Sequence, residues 1–159
     1  MEIILREGQK SDMPAVLMLI KELASFEKEA NAVEITAEDL ERDGFGTYPL
    51  FKVFIAEKKG EIVGMALFYE RYSTWKGRSI HLEDLIVKKA FRGEGIGKAL
   101  YTKVLSFAHQ KELKRVSWEV LDWNKVAVDF YVSTGAKILD GWQVVHMNEH
   151  SLQNFIAQE

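Results

Sequence analysis

The sequence predicts an α/β chain of the α+β kind. One mixed, mostly antiparallel central sheet carries helices on both faces, in the order β-α-α-β-β-β-α-β-α-β-β. Two observations lead there. Three strand-like runs follow one another in the middle of the chain, separated by short turns, as in antiparallel hairpins. The later passages alternate strand and helix, as in parallel crossovers.

Ile3 to Arg6 is a short β-prone run. Ser11-Asp12-Met13-Pro14 then reads as a helix start, with Ser11 or Asp12 as cap and Pro14 in the first turn. Val16, Leu19, Ile20, Leu23 and Phe26 recur at helical spacing, which predicts a helix over about 12–28. Thr36-Ala37-Glu38-Asp39 has capping-box spacing and opens a second, short helix ending near Gly44. Phe51 to Glu57 is aromatic and β-branched, Lys58-Lys59-Gly60 is a tight turn, and Ile62 to Tyr72 resumes the strand pattern. Thr74 to Arg78 connects to a third strand, Ser79 to Val87.

From Gly95 the period changes. Ile96, Leu100, Val104 and Phe107 line one helical face. Val116 to Leu121 reads as a strand. Asn124 caps a helix running to about Ser133, and Gly135 is placed to end it. Lys137 to Leu139 and Trp142 to Met147 read as late strands, and Ser151 to Ala157 as a last short helix. No repeat, low-complexity tract or linker divides the chain, so residues 1–159 are expected to form one domain.

Composition narrows the chemistry. Of 159 residues, 47% are apolar and 28% charged, which argues against disorder. The chain has no Cys, so disulfides, thiolate metal sites and a covalent cysteine intermediate are excluded. A net charge of −3 argues against a general nucleic-acid binder. The start MEIILREGQK lacks the basic, long-apolar pattern of a signal peptide, and no run approaches 18 apolar residues, so no membrane partner and a cytoplasmic location are the expectation. The charge is unevenly distributed. Residues 22–43 carry a balance of −6 and residues 88–115 a balance of +6, one end suited to a cation and the other to an anion.

The most informative segment is Val87-Lys88-Lys89-Ala90-Phe91-Arg92-Gly93-Glu94-Gly95-Ile96-Gly97-Lys98, between a strand and a strong helix. A helix N-terminus offers backbone N–H groups without partners and the positive end of the dipole. Glycines at 93, 95 and 97 let a phosphate oxygen approach those groups, and Arg92 and Lys98 add positive charge. The physical reading is a pyrophosphate cradle. A Rossmann fingerprint would need glycine where Lys98 stands, and a Walker loop would need Ser or Thr where Ala99 stands.

Arg92-Gly93-Glu94-Gly95-Ile96-Gly97 resembles the Arg/Gln-x-x-Gly-x-Gly/Ala loop of the GNAT superfamily of N-acetyltransferases. The resemblance covers nearly the whole chain and narrows to the diamine (spermidine/spermine) and thialysine acetyltransferase subgroup. It is carried by Ile20-Lys21-Glu22-Leu23-Ala24, Asp43-Gly44-Phe45-Gly46, Leu82-Glu83-Asp84, Trp123-Asn124, and Phe130-Tyr131 with Gly135-Ala136. It implies a GNAT-like fold and transfer of acetyl from acetyl-CoA to a primary amine of a small polyamine, diamine or thialysine-like substrate. It also implies a homodimer, for which the late strand at 142–147 is a plausible contact.

Acetyl transfer to an amine poses two proton problems. The ammonium must lose a proton before it attacks, and the departing thiolate must be neutralised. Without Cys, direct attack in a ternary complex is the natural route. The resemblance makes Glu83 the candidate general base, acting directly or through water, and Tyr131 the candidate acid toward sulfur. A plain ion-paired carboxylate and a core tyrosine are the alternatives. Asp84 alternates to the other strand face, unless the strand bulges there as it does in the family.

The cradle residues Arg92, Gly93, Glu94, Gly95, Ile96, Gly97 and Lys98 would hold the pyrophosphate of acetyl-CoA. The backbone of Leu85, Ile86 and Val87 would pair with the pantetheine amides like an added strand, joined by Asn124 and Tyr131. For the acceptor, Phe26, Glu27, Trp75, Glu83, Asp84 and Glu119 combine aromatic faces with carboxylates, which suits an alkylammonium chain; core packing or solvated charge is the alternative for each.

Ser73-Thr74-Trp75 replaces an Asp-Pro-Trp passage of the polyamine enzymes, and Asp140-Gly141-Trp142 keeps one acid where they have more. Both departures weigh against long polyamines. The histidines carry no metal signature, since His146 and His150 flank a strand-to-loop break, and no metal is expected. Two other functions stay open: acetylation of a peptide or protein amine, and a non-catalytic acyl-CoA sensor. Retention of Glu83 and Tyr131 argues against the sensor.

Overall fold

In strand β2 (Lys52–Lys58) Val53 and Ile55 face one way and Phe54 and Ala56 the other. All four are buried, so helices must cover the sheet on both sides. The computed structural model, which describes residues 2–158, shows how. The chain forms two compact units, one up to Glu119 and one from Val120 onward.

The first unit holds a five-stranded sheet in the order β1-β2-β3-β4-β5, made of β1 (Ile4–Glu7), β2, β3 (Glu61–Ser73), β4 (Gly77–Val87) and β5 (Val116–Ser117). Neighbours are antiparallel except β4 and β5, which are parallel. The predicted mixed, mostly antiparallel sheet is therefore present.

Helix α1 (Met13–Phe26) buries Met13, Val16 and Leu19 against Val53, Ile55, Met65, Leu67 and Ile86. Helix α3 (Ile96–Gln110) covers the opposite face, where Phe107 meets Phe54 and Phe68 with ring centroids 6.1 and 5.2 Å apart. The short helix α2 (Ala37–Phe45) packs beside α1 and opens with the expected capping box. Thr36 Oγ1 accepts the Asp39 N–H at 3.2 Å, and Asp39 Oδ2 accepts the Thr36 N–H at 2.9 Å.

The start of α1 differs from expectation. Neither Ser11 nor Asp12 caps it through a side chain. The Asp12 carboxylate is taken by Arg6, at 2.7 and 3.0 Å, and by the Gln9 N–H at 2.7 Å.

The second unit holds α4 (Lys125–Ser133) and α5 (Glu149–Ile156). Asn124 caps α4, accepting the Ala127 N–H at 3.4 Å. Gly135, at φ +92°, ends the helix in the left-handed conformation while the Ala136 N–H returns to the Tyr131 carbonyl at 3.2 Å.

Two strand predictions are corrected. The strand expected over 116–121 is two residues long, because its ladder pairs Ile80 with Val116 and His81 with Ser117 and goes no further. Residues 137–147, expected to hold two strands, form none, and Ile138, Leu139, Trp142, Val144, Val145 and Met147 are exposed. An alternating pattern reports one backbone, whereas a strand needs two.

Candidate active site

The glycine loop is built from the end of β4 outward. After Val87 a single 3-10 turn (Lys89–Phe91) reverses the chain, and Gly93 and Gly95 follow at φ +82° and +81°. That left-handed conformation is what glycine supplies here. A Cβ at either position would meet nothing within 4 Å, so the cradle is open. Ile96 is buried and fixes the first turn of α3. The first helical hydrogen bond runs from the Ala99 N–H to the Gly95 carbonyl at 3.0 Å. The N–H groups of Ile96, Gly97 and Lys98 therefore have no acceptor within the helix, and they stand at the positive end of its dipole.

Charged residues anchor this loop. Arg92 donates its Nε–H to the Val87 carbonyl at 2.9 Å and lays its guanidinium over the Phe26 ring at 5.2 Å. Glu22 on α1 accepts the Lys89 N–H at 3.0 Å. Glu94 pairs with Lys58. Phe26 and Glu94 thus tie the loop to α1 and β2, while Lys98 is exposed on α3.

Strand β4 leads into the loop with one edge open within the sheet. On its β3 side Leu85, Ile86 and Val87 pair with Ala66, Met65 and Gly64. On its other side β5 reaches only Ile80 and His81. The edge from Leu82 to Val87 is where an extended, amide-bearing chain could add.

The same strand bulges where the carboxylates lie. Leu67 pairs with Asp84 and Phe68 with Leu82, which leaves Glu83 as the extra residue. The bulge breaks the alternation. Asp84 joins Ile86 on the α1 side, opposite Leu67, while Glu83 reaches Tyr69 on that same side, its Oε2 accepting the phenol hydrogen at 3.1 Å. Burial, then Glu83, then Glu27 push the Asp84 carboxyl up to about 6. Burial also raises Glu27, just past the end of α1. Three of the expected acceptor carboxylates, Glu27, Glu83 and Asp84, are thus gathered in one corner.

Glu119 adds its charge to the surroundings of Tyr69, whose phenol is raised by burial and by Glu83. Trp75, expected on the acceptor side as well, is placed farther along the hairpin. It lies in the β3–β4 turn, and the six strand steps from Gly77 to Glu83 span roughly 20 Å.

Tyr69 and His81 belong to no sequence motif, yet they flank Glu83. They are directly paired across the hairpin, their rings 5.5 Å apart. The signal was available, since a hairpin centred on Trp75 sets residue 69 opposite residue 81. In the second unit, Tyr131 is near the end of α4, its ring tilted against Phe130 at 5.4 Å. Asn124 is the cap of the same helix.

Among the described residues, no helix is long and apolar enough to cross a membrane, and no group of three His, Cys, Asp or Glu could hold a metal ion.

The model of the family described as "Acetyltransferase (GNAT) family" matches residues 17–136. A thialysine N-epsilon-acetyltransferase from Bos taurus is 42% identical, over 98% of this chain and 98% of its own length. A spermidine/spermine N(1)-acetyltransferase-like protein 1 from Homo sapiens is 35% identical, over 98% of this chain and 24% of its own. A solved integron cassette protein from the mobile metagenome of V. cholerae shares the fold with a TM-score of 0.79 at 23% identity, covering 100% of this chain and 99% of its own.

Proposed function

This chain belongs to the acetyltransferase (GNAT) family and is an N-acetyltransferase, and on that premise we propose that it acetylates a small primary amine of the thialysine or short-diamine type, using acetyl-CoA. The observation that carries the acceptor assignment is the bulge at Glu83. It turns two adjacent carboxylates to the α1 side of the sheet, with Glu27 close enough to raise Asp84 further. Three mutually repelling carboxylates gain most from a ligand that brings positive charge among them.

Acetyl-CoA, when bound, supplies the acetyl thioester. The open glycine loop, the N–H groups of Ile96, Gly97 and Lys98, and the charges of Arg92 and Lys98 suit its pyrophosphate. The open edge of Leu85, Ile86 and Val87 suits its amide-bearing arm, with Asn124 as a further donor. Asp84 and Glu27 draw the ammonium into the corner. Glu83, exposed at the bulge, takes the proton the ammonium must lose, directly or through one water. Tyr131 holds a phenol proton for the sulfur, so that the carbon–nitrogen bond forms as the carbon–sulfur bond breaks, in one complex. A cytoplasmic homodimer belongs to the same reading.

Purified protein mixed with acetyl-CoA and a panel of thialysine, lysine, diamines, polyamines and peptides, with thiol release followed, tests it. Turnover concentrated on thialysine and the short diamines is the expected result. Turnover on peptides alone would transfer the assignment to protein amines, and tight acetyl-CoA binding without any turnover would make the chain a sensor.

A further inference from the structure

His81 is buried, and both of its ring nitrogens face polar groups. Nδ1 is 3.3 Å from Arg71 Nη1 and 3.0 Å from Ser117 Oγ. Nε2 is 3.7 Å from Glu83 Oε2. Arginine has donors and no acceptor, so the Arg71 N–H must meet a lone pair on Nδ1. In the neutral ring the proton then resides on Nε2, the side that faces Glu83. Ser117, from the neighbouring strand, can add its hydroxyl hydrogen to the same Nδ1.

From this we infer that His81 is a positioning residue for Glu83, an inference that rests on Glu83 being the proton acceptor. The protonated Nε2 stands 3.7 Å from the carboxylate oxygen that accepts the Tyr69 hydroxyl hydrogen, so a polar N–H edge and one hydrogen bond border that side of Glu83. The other charged groups around this cluster are Glu119 beyond β5, Asp84 beside Glu83 on β4, and Glu27 beyond α1. The tautomer also decides where the proton goes. Nε2 already carries one, and Nδ1 is covered by a guanidinium. His81 therefore does not relay the proton that Glu83 collects, and Glu83, whose side chain is 51% exposed, releases it to water.

A double-mutant cycle with a spectroscopic check tests this in the full-length protein. His81→Phe is expected to lower kcat about tenfold while acetyl-CoA affinity stays within twofold. His81→Gln, whose amide N–H reaches toward the same oxygen, should restore at least a third of the rate. In a Glu83→Gln background, where turnover is already low, His81→Phe should cost nothing further, because the ring acts through Glu83. In the wild type, imidazole nitrogen NMR at pH 8 should show His81 protonated on Nε2.

Protonation on Nδ1, or an equal loss from His81→Phe in both backgrounds, would overturn the assignment. Loss of acetyl-CoA affinity in step with kcat would do the same, leaving His81 a packing residue. If Glu83→Gln turns over like the wild type, the proton-acceptor reading of Glu83 fails and His81 loses its catalytic consequence. The NMR result then reports the Arg71–His81 geometry separately.

Discussion

Arg92 donates its Nε–H to the carbonyl oxygen of Val87 at 2.9 Å, so the glycine loop is tied to the last residue of the strand that precedes it. The side chain does more than add charge to the cradle. It fixes the angle at which chain leaves β4, and its position over Phe26 links that angle to α1. Arg92→Ala is expected to weaken acetyl-CoA binding about tenfold by calorimetry, the scale of one charge-assisted hydrogen bond. Arg92→Lys should recover little, since an ammonium cannot reproduce the Nε–H geometry. Full recovery by lysine would show that only the charge matters.

Gly95 combines a left-handed backbone, φ +81°, with open space where a Cβ would stand. Backbone conformation makes glycine fit there, and neighbouring protein atoms do not. Gly95→Ala should therefore cost about 1 kcal/mol of folding stability, and Gly95→Asn less. Both should reduce acetyl-CoA affinity, because the new Cβ enters the cradle. A thermal melt beside a binding titration separates the two effects. Unchanged affinity in a folded Gly95→Ala protein would refute the cradle.

Asp84 is held at about 6 against an ordinary 3.8, so folding disfavours its charged form. The favourable contribution of the protonated form is complete below pH 3.8 and is lost as pH rises through 6. Asp84→Asn is thus expected to be more stable than wild type at pH 7.5, by up to about 3 kcal/mol, and no more stable at pH 4. Urea unfolding at both pH values checks this, and a gain that is the same at both would contradict it. The same variant should raise KM for the amine. Asp12 has the opposite sign. Hydrogen bonds from Arg6 hold it below 3.8, so its contribution is present above that pH and is lost on acidification.

Tyr131→Phe should lower kcat by about 100-fold while leaving acetyl-CoA affinity nearly intact, because it removes a proton donor and keeps the ring. Steady-state kinetics with a binding titration resolves this. An unchanged rate would remove the acid role.

Most of the fold could be read from local pattern. The apolar spacing of Val16, Leu19 and Leu23, the Thr36–Asp39 box, the Lys59–Gly60 turn and the Asn124 cap each act within a few residues, and each appears where the sequence places it. The cradle was legible for the same reason, because strand, glycines, base and helix are contiguous from Val87 to Lys98.

What depends on the reach and the exact register of pairing was not legible. The strand patterns at 118–121 and 137–147 form no ladder in the structure, since pairing requires a partner that pattern cannot supply. Glu83 and Asp84 would face opposite sides of a regular strand, and the register shift against Leu67 and Phe68 turns both to one side. His81 has no motif to announce it. Its environment is assembled from β3, β4 and β5 together. The sequence by itself thus determined the glycine loop at the head of α3, whose geometry is local backbone. The tertiary structure decided which carboxylates share a corner, gathering Glu27, Glu83 and Asp84, because the proton affinities and orientations of carboxylates depend on burial and on neighbours that are distant in the chain.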